Sequence, residues 1–228
     1  MTREAFDRQL QKLLDDILIL GGMVEDAIIE SVESLKQRDL DKARLIYKND
    51  RKLNEKRFQI ENDALTTIAT QAPMATDLRV LASILDVASE LERMGDYAKG
   101  IAMINIRMGN EPLLKPLIDV PRMAEITVDM LHQALDAFIR VDVDLARKIP
   151  ERDDMVDALY NQVYRELLTF MISDPSTIDQ ATFLLWVAHN LERTADRVTN
   201  ICERTLFVDT GELHEIKSSD DENTRAID

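Results

Sequence analysis

The chain has 228 residues, 45% of them hydrophobic but only 5% aromatic, with six Gly, six Pro, one cysteine and a formal net charge of −15. That length suffices for a substantial core, the composition is that of an all-α protein, and the acidic balance opposes nucleic acid as a partner and favours cations or basic protein surfaces. A lone cysteine excludes an intrachain disulfide framework, and no run of about 18 apolar residues offers a membrane span, so a cytoplasmic protein without membrane insertion is expected.

Apolar residues recur at helical spacing from Phe6 to about Arg38, through Leu10, Leu13, Ile17, Val24, Ile28, Val32 and Leu35. They predict a first helix in which Gly21-Gly22 marks a kink or a close helix contact. Asp39 caps a second helix, from about Leu40 to Thr70, and Pro73 ends it. A third runs from about Met74 to Met108. Gly109-Asn110-Glu111-Pro112, followed by Pro116 and Pro121, is the clearest break in the sequence.

After the break the pattern starts again. One helix spans about Pro121 to Val141, and the next about Asp142 to Ser173, bent early by Pro150. Ser176-Thr177 then cap a last helix that runs to about Val208. The stretch from Asp209 to Asp228 is acidic, has little apolar content, and reads as a flexible tail.

The halves share more than helix count. Ala88-Ser89-Glu90-Leu91-Glu92-Arg93-Met94-Gly95-Asp96 returns a hundred positions later as Ala188-His189-Asn190-Leu191-Glu192-Arg193-Thr194-Ala195-Asp196. Ala43-Arg44, Asp50 and Pro73 have counterparts in Ala146-Arg147, Asp153 and Pro175. The fold class that follows is all-α, two tandem three-helix bundles related by an internal repeat of six long helices: residues 1–110, 111–208 and the tail 209–228.

In each copy the motif sets two carboxylates one turn apart, Glu92 with Asp96 and Glu192 with Asp196. Such pairs repel by roughly 0.2–0.5 kcal/mol in an isolated helix. They lie at the margin of an apolar stripe (Leu81, Leu85, Ala88, Leu91, Gly95, Ala98, and its counterpart from Leu184 to Cys202), and the small residues beside them admit a neighbouring helix. The second helix of each half adds Asp50 with Asn54, and Asp153 with Asp157. Antiparallel packing would bring these to the first set, with the amide of Asn200 beside the second cluster. Oxygen-rich groups of this kind suit a divalent metal or iron, and so many like charges favour a neutralising cation.

His132, His189 and His214 show no duplicated Glu-x-x-His pattern of the di-iron bundles. Arg93 and Arg193 are read as partners of nearby acids, as in the intrahelical pair Glu90 with Arg93, or as residues that dock a partner protein. No phosphate-cradling glycine loop, no nucleophile with a positioned base and no zinc-type spacing occurs, so no catalytic residue is expected. The alternative is a carboxylate-bridged metalloenzyme of helical-bundle type, or else a passive acidic scaffold.

A tandem repeat of three helices, each ending in Glu-Arg-x-x-Asp, resembles the PhoU family of phosphate-signalling regulators over about residues 5–208. The resemblance implies two three-helix bundles, a homodimer, and a regulator that is not an enzyme. It further implies an adaptor between the ATPase subunit of the high-affinity phosphate ABC transporter and a phosphate sensor histidine kinase, peripheral to the inner face of the membrane through these partners, and a negative regulator when phosphate is plentiful. The family's metal-binding acids fall on Glu92, Asp96, Glu192, Asp196, Asp50, Asp153 and Asp157. Asn54 replaces an acid often present, and the pattern extends to Asn200 where the first half has Gly100.

Overall fold

The computed structural model describes residues 3–216. Three long helices, α1 (Arg3–Gln37), α2 (Leu40–Gln71) and α3 (Thr76–Met108), make the first half. The second is α4 (Asp119–Arg140), a middle helix broken into α5 (Val143–Lys148) and α6 (Asp153–Ser173), and α7 (Ile178–Thr210). The break is a 3-10 turn, Ile149–Arg152, with Pro150 at its start. A proline cannot donate its backbone bond, so the bend falls where the sequence placed it.

Equivalent turns close the first helix of each half. Arg38 and Val141 both adopt left-handed backbone, with φ of 57° and 54°. The next residue's N–H reaches back to the helix, Asp39 to Ser34 O and Asp142 to Ala137 O, both 2.8 Å. Asp39 and Asp142 then cap the following helices, accepting from Lys42 N at 2.9 Å and Leu145 N at 3.0 Å. The cap expected from Ser176-Thr177 is different. Asp174 accepts from the N–H and hydroxyl of Ser176 in a 3-10 turn, and Thr177 makes no side-chain cap bond.

α1 runs unbroken through Gly21-Gly22. A Cβ on Gly21 would lie 2.2 Å from Leu135 Cδ1 of α4, so this glycine serves a close helix contact and not a kink. The two bundles are not separate bodies. α3 packs on α7 and α1 on α4, so these four helices surround a shared interior, with α2 outside one end and α5–α6 outside the other. A single hydrophobic cluster runs through both halves, and apolar surface that two isolated bundles would expose is closed within the chain.

Of the expected tail, Asp209 and Thr210 extend α7, and Gly211 ends it in left-handed conformation with φ 79°. The chain then turns back: Ile216 packs against the core and its N–H reaches Glu203 Oε1 at 2.8 Å. Residues 217–228 of the expected tail lie outside the described residues.

Candidate functional site

The repeated spacing of the apolar stripe puts Glu92 and Glu192 half-buried at the margin of the core, one turn from Asp96 and Asp196. In the first half, Asp50 of α2 is buried and faces this margin. Asn54 sits one turn further on α2 and its amide donates to Asp50, to the backbone O at 3.2 Å and to Oδ2 at 3.3 Å. Lys99 of α3 completes the group. Its Nζ lies 2.7 Å from Asp50 Oδ2 and 3.3 Å from Asp96 Oδ1, so the first cluster carries its own cation. The hydrogen bond to Asp50 raises the Lys99 ammonium above its ordinary pKa. Burial, and then the charge of Asp96, push the Glu92 carboxyl up.

The second cluster assembles the equivalent residues without that cation. Asp153, 5% exposed at the start of α6, faces Asp157 on its own helix and Glu192 and Asp196 of α7. Its Oδ1 is buried and makes no hydrogen bond. Burial, followed by the charges of Asp157, Asp196 and Glu192, pushes its carboxyl up to about 7. Glu192 lies 3.1 Å from His189 Nδ1, and Asp196 2.8 Å from Arg193 Nη1. The residue at the place of Lys99 is Thr199.

Among the described residues, no three of His, Cys, Asp and Glu are gathered closely enough to hold a metal ion. What the second cluster does supply is the donor type a hard cation takes, carboxylate oxygens on facing helices, with Asp153 Oδ1 buried and not hydrogen-bonded. Asn200 is committed elsewhere. Its Nδ2 donates to Glu90 Oε2 at 2.9 Å, across the α3–α7 contact. A cavity of about 360 Å³ opens beside it, lined by Asp153, Asp196, Arg193, Arg197 and the returning Glu215 and Ile216.

Glu90 is a residue that reading the motif for its acid pair passes over. It accepts from Arg93 at 3.0 Å on its own helix, and from Arg197 at 3.2 Å and Asn200 on α7. Arg204 adds a tie to Asp86 at 3.3 Å. The α3–α7 contact is antiparallel, and equivalent positions exchange places in it: position 90 meets 200, while Gly100 lies against Asn190, which a Cβ there would approach to 2.9 Å.

The architecture is that of a tandem helical repeat whose acid motifs flank a pseudo-symmetric contact between its halves. The PhoU domain family model matches residues 17–104 and again 120–205, and the chain belongs to that family. It is 35% identical over 212 residues to the phosphate-specific transport system accessory protein PhoU homolog of Clostridium acetobutylicum, covering 92% of this chain and 97% of the relative. To the protein of that name, PhoU, from Escherichia coli strain K12, it is 31% identical over 207 residues, covering 91% and 86%. The crystal structure of PhoU from Pseudomonas aeruginosa superposes with a TM-score of 0.85 at 31% identity, covering 91% of this chain and all of that one. The phosphate transport system regulatory protein PhoU from Streptococcus pneumoniae gives 0.84 at 31% identity, covering 92% and 99%. These relatives bear the names of accessory and regulatory proteins, not of enzymes, so the metalloenzyme alternative finds no support.

Proposed function

We propose that this protein regulates phosphate uptake and the phosphate-starvation response as a cytoplasmic adaptor. It bridges the ATPase subunit of the phosphate ABC transporter and the sensor histidine kinase, and holds the response off when phosphate is plentiful. The observation that carries the reading is the match over nine-tenths of the chain, both repeats and their order, to accessory proteins named for the phosphate-specific transport system. Long helices that share one core give such a protein a stiff surface for two partners. Deleting the gene should raise transcription of phosphate-starvation genes in phosphate-rich medium. Unchanged transcription there would reject the reading.

A homodimer belongs to the same proposal. Outer helix α6 exposes Tyr164, Leu168 and Ile172, an apolar stripe at one-turn spacing. Sedimentation that finds only monomer at micromolar concentration would remove it.

We also infer that the second cluster holds a divalent metal or iron through Asp153, Asp157, Glu192 and Asp196, with Asn200 beside them, and that the first, with Asp50, Asn54, Glu92 and Asp96, holds it weakly because Lys99 already pairs with Asp50 and Asp96. Bound metal would supply the missing positive charge. Calorimetry with Mn, Fe, Mg or Zn should show a rise in melting temperature by mass action, which Asp196→Asn weakens more than Asp96→Asn does. Equal responses in the two variants, or no metal response in the wild type, would count against the assignment.

A further inference from the structure

The first half contains a cavity of about 200 Å³ between α1, α2 and α3. Its floor is apolar, formed by Met23 and Ala27 of α1, Ile46 and Leu53 of α2, and Gly95 of α3. Asp26 and Glu30 of α1 stand on one rim, and Lys52 of α2 on the other. Lys42 lies 3.5 Å from Glu30, and Lys99 is held by Asp50 and Asp96. Asp26 is exposed, and Asn49 of α2 lines the same cavity.

The repeat shows what the same place looks like when it is filled. With the turns at Arg38 and Val141 in register, Ala27 corresponds to Met130, Asp26 to Asp129, and Asn49 to Arg152. Met130 is fully buried, whereas Ala27 is only half-buried. Arg152 Nη1 lies 2.5 Å from Asp129 Oδ2 and bridges the first and middle helices of that half. The second half therefore supplies, from its own sequence, an unbranched apolar side chain and a guanidinium on the rim carboxylate. At those two places the first half has Ala27 and Asn49, and it keeps the apolar floor and the carboxylate.

We infer that this cavity is a docking site for a segment of a partner protein that inserts a methionine- or leucine-like side chain over Ala27 and sets an adjacent arginine or lysine on Asp26. The segment takes the two places that Met130 and Arg152 take in the second half. Complementary charge supports the same occupant, because a basic apolar segment is attracted to a chain of net charge −15. A flexible apolar side chain suits a shallow pocket with a glycine and an alanine in its floor. This site lies in the half whose acids already carry a lysine, so it operates independently of any metal at the second cluster.

The test uses the full chain and short acetylated helical peptides that carry one Met and one Arg a turn apart, with control peptides in which Met is Ser or Arg is Glu. Methyl resonances of Met23, Ile46 and Leu53 should shift on titration with the Met/Arg peptide, with at least tenfold weaker binding for either control. The double substitution Ala27→Met with Asn49→Arg, which copies the second half, should abolish the shifts and leave the melting temperature unchanged or raised. Asp26→Lys changes an exposed residue without touching the core. It should weaken the Met/Arg peptide and strengthen the Met/Glu one. No methyl shift at millimolar peptide, shifts indifferent to the peptide's Met and Arg, or a folded double variant that binds as the wild type does would each overturn the proposal.

Discussion

In the first half Asp50 faces Glu92 and Asp96 with Lys99 between them; in the second, Asp153 faces Glu192 and Asp196, and Thr199 stands where the lysine would be. The helices, the spacing of the acids and their place beside the core are shared. Two side chains outside the motif set the balance: Lys99 and Asn54 of the first half stand where the second has Thr199 and Asp157, so the second gathers one more carboxylate and lacks the lysine. A repeated motif is thus a repeated scaffold, and its chemistry is settled by neighbours the motif does not include.

The largest effect that would test this contrast is on pH dependence. In the folded chain the Asp153 carboxyl is pushed up to about 7, against about 3.9 when unfolded. A raised folded value favours the protonated native state, so this group's contribution is whole below about pH 4 and is lost as pH rises through about 7. In chelator, this group should cost the wild type on the order of 4 kcal/mol of stability across that window. Asp153→Asn should flatten the profile and be the more stable chain at about pH 8. Urea denaturation across the pH range measures it, and parallel curves for the two proteins would mean that the charges around Asp153 are relieved in another way.

Next comes Lys99→Thr, which gives the first half the second half's residue. Asp50 is buried and would lose its ion-pair partner, while Glu92 and Asp96 lose the neighbouring positive charge. Breaking a buried pair on one side costs about 3–5 kcal/mol; partial exposure of Lys99 reduces the expectation to about 2 kcal/mol. The variant should also acquire a stabilising response to divalent cations in the first half. A loss below about 0.5 kcal/mol in denaturation would show that Lys99 is a surface bystander.

The smallest expected effect lies at the end of α7. Truncation after Thr210 removes the packing of Ile216 and its N–H from Glu203, whose half-buried carboxyl is already pushed up by burial. About 1 kcal/mol should be lost, a fall in melting temperature of about 2–4 °C. An unchanged melting temperature would show that the segment after Thr210 is the flexible tail that its composition predicts.

Much of this molecule was legible because its signals are local or periodic. Helical spacing marks every long helix, Asp39 and Pro73 mark a boundary, and the stripe from Leu81 to Ala98 places the acids at the core margin. Lys99 was equally visible, one turn past Asp96, but comparing the copies motif against motif looks for what they share and passes over where they differ. Other features carry no local signal. That α3 packs on α7, so that Glu90 binds Arg197 and Asn200, depends on which of several apolar faces meet, and periodicity within one helix cannot report it. The same contact explains why Asn200, a plausible ligand by spacing, has its amide engaged by the other half.

The exchange of equivalent positions across α3 and α7 has a consequence for what this chain can become. Two identical single repeats joined by the same two-fold contact would carry every substitution twice, a lysine in both acid clusters or in neither. Joined in one chain, the halves are released from that constraint while the contact that pairs them persists. One copy can hold a lysine among its acids and keep an open cleft, and the other can fill the cleft and gather a fourth carboxylate without that lysine. The chain is a broken-symmetry pair, able to offer different chemistry at its two ends with one architecture.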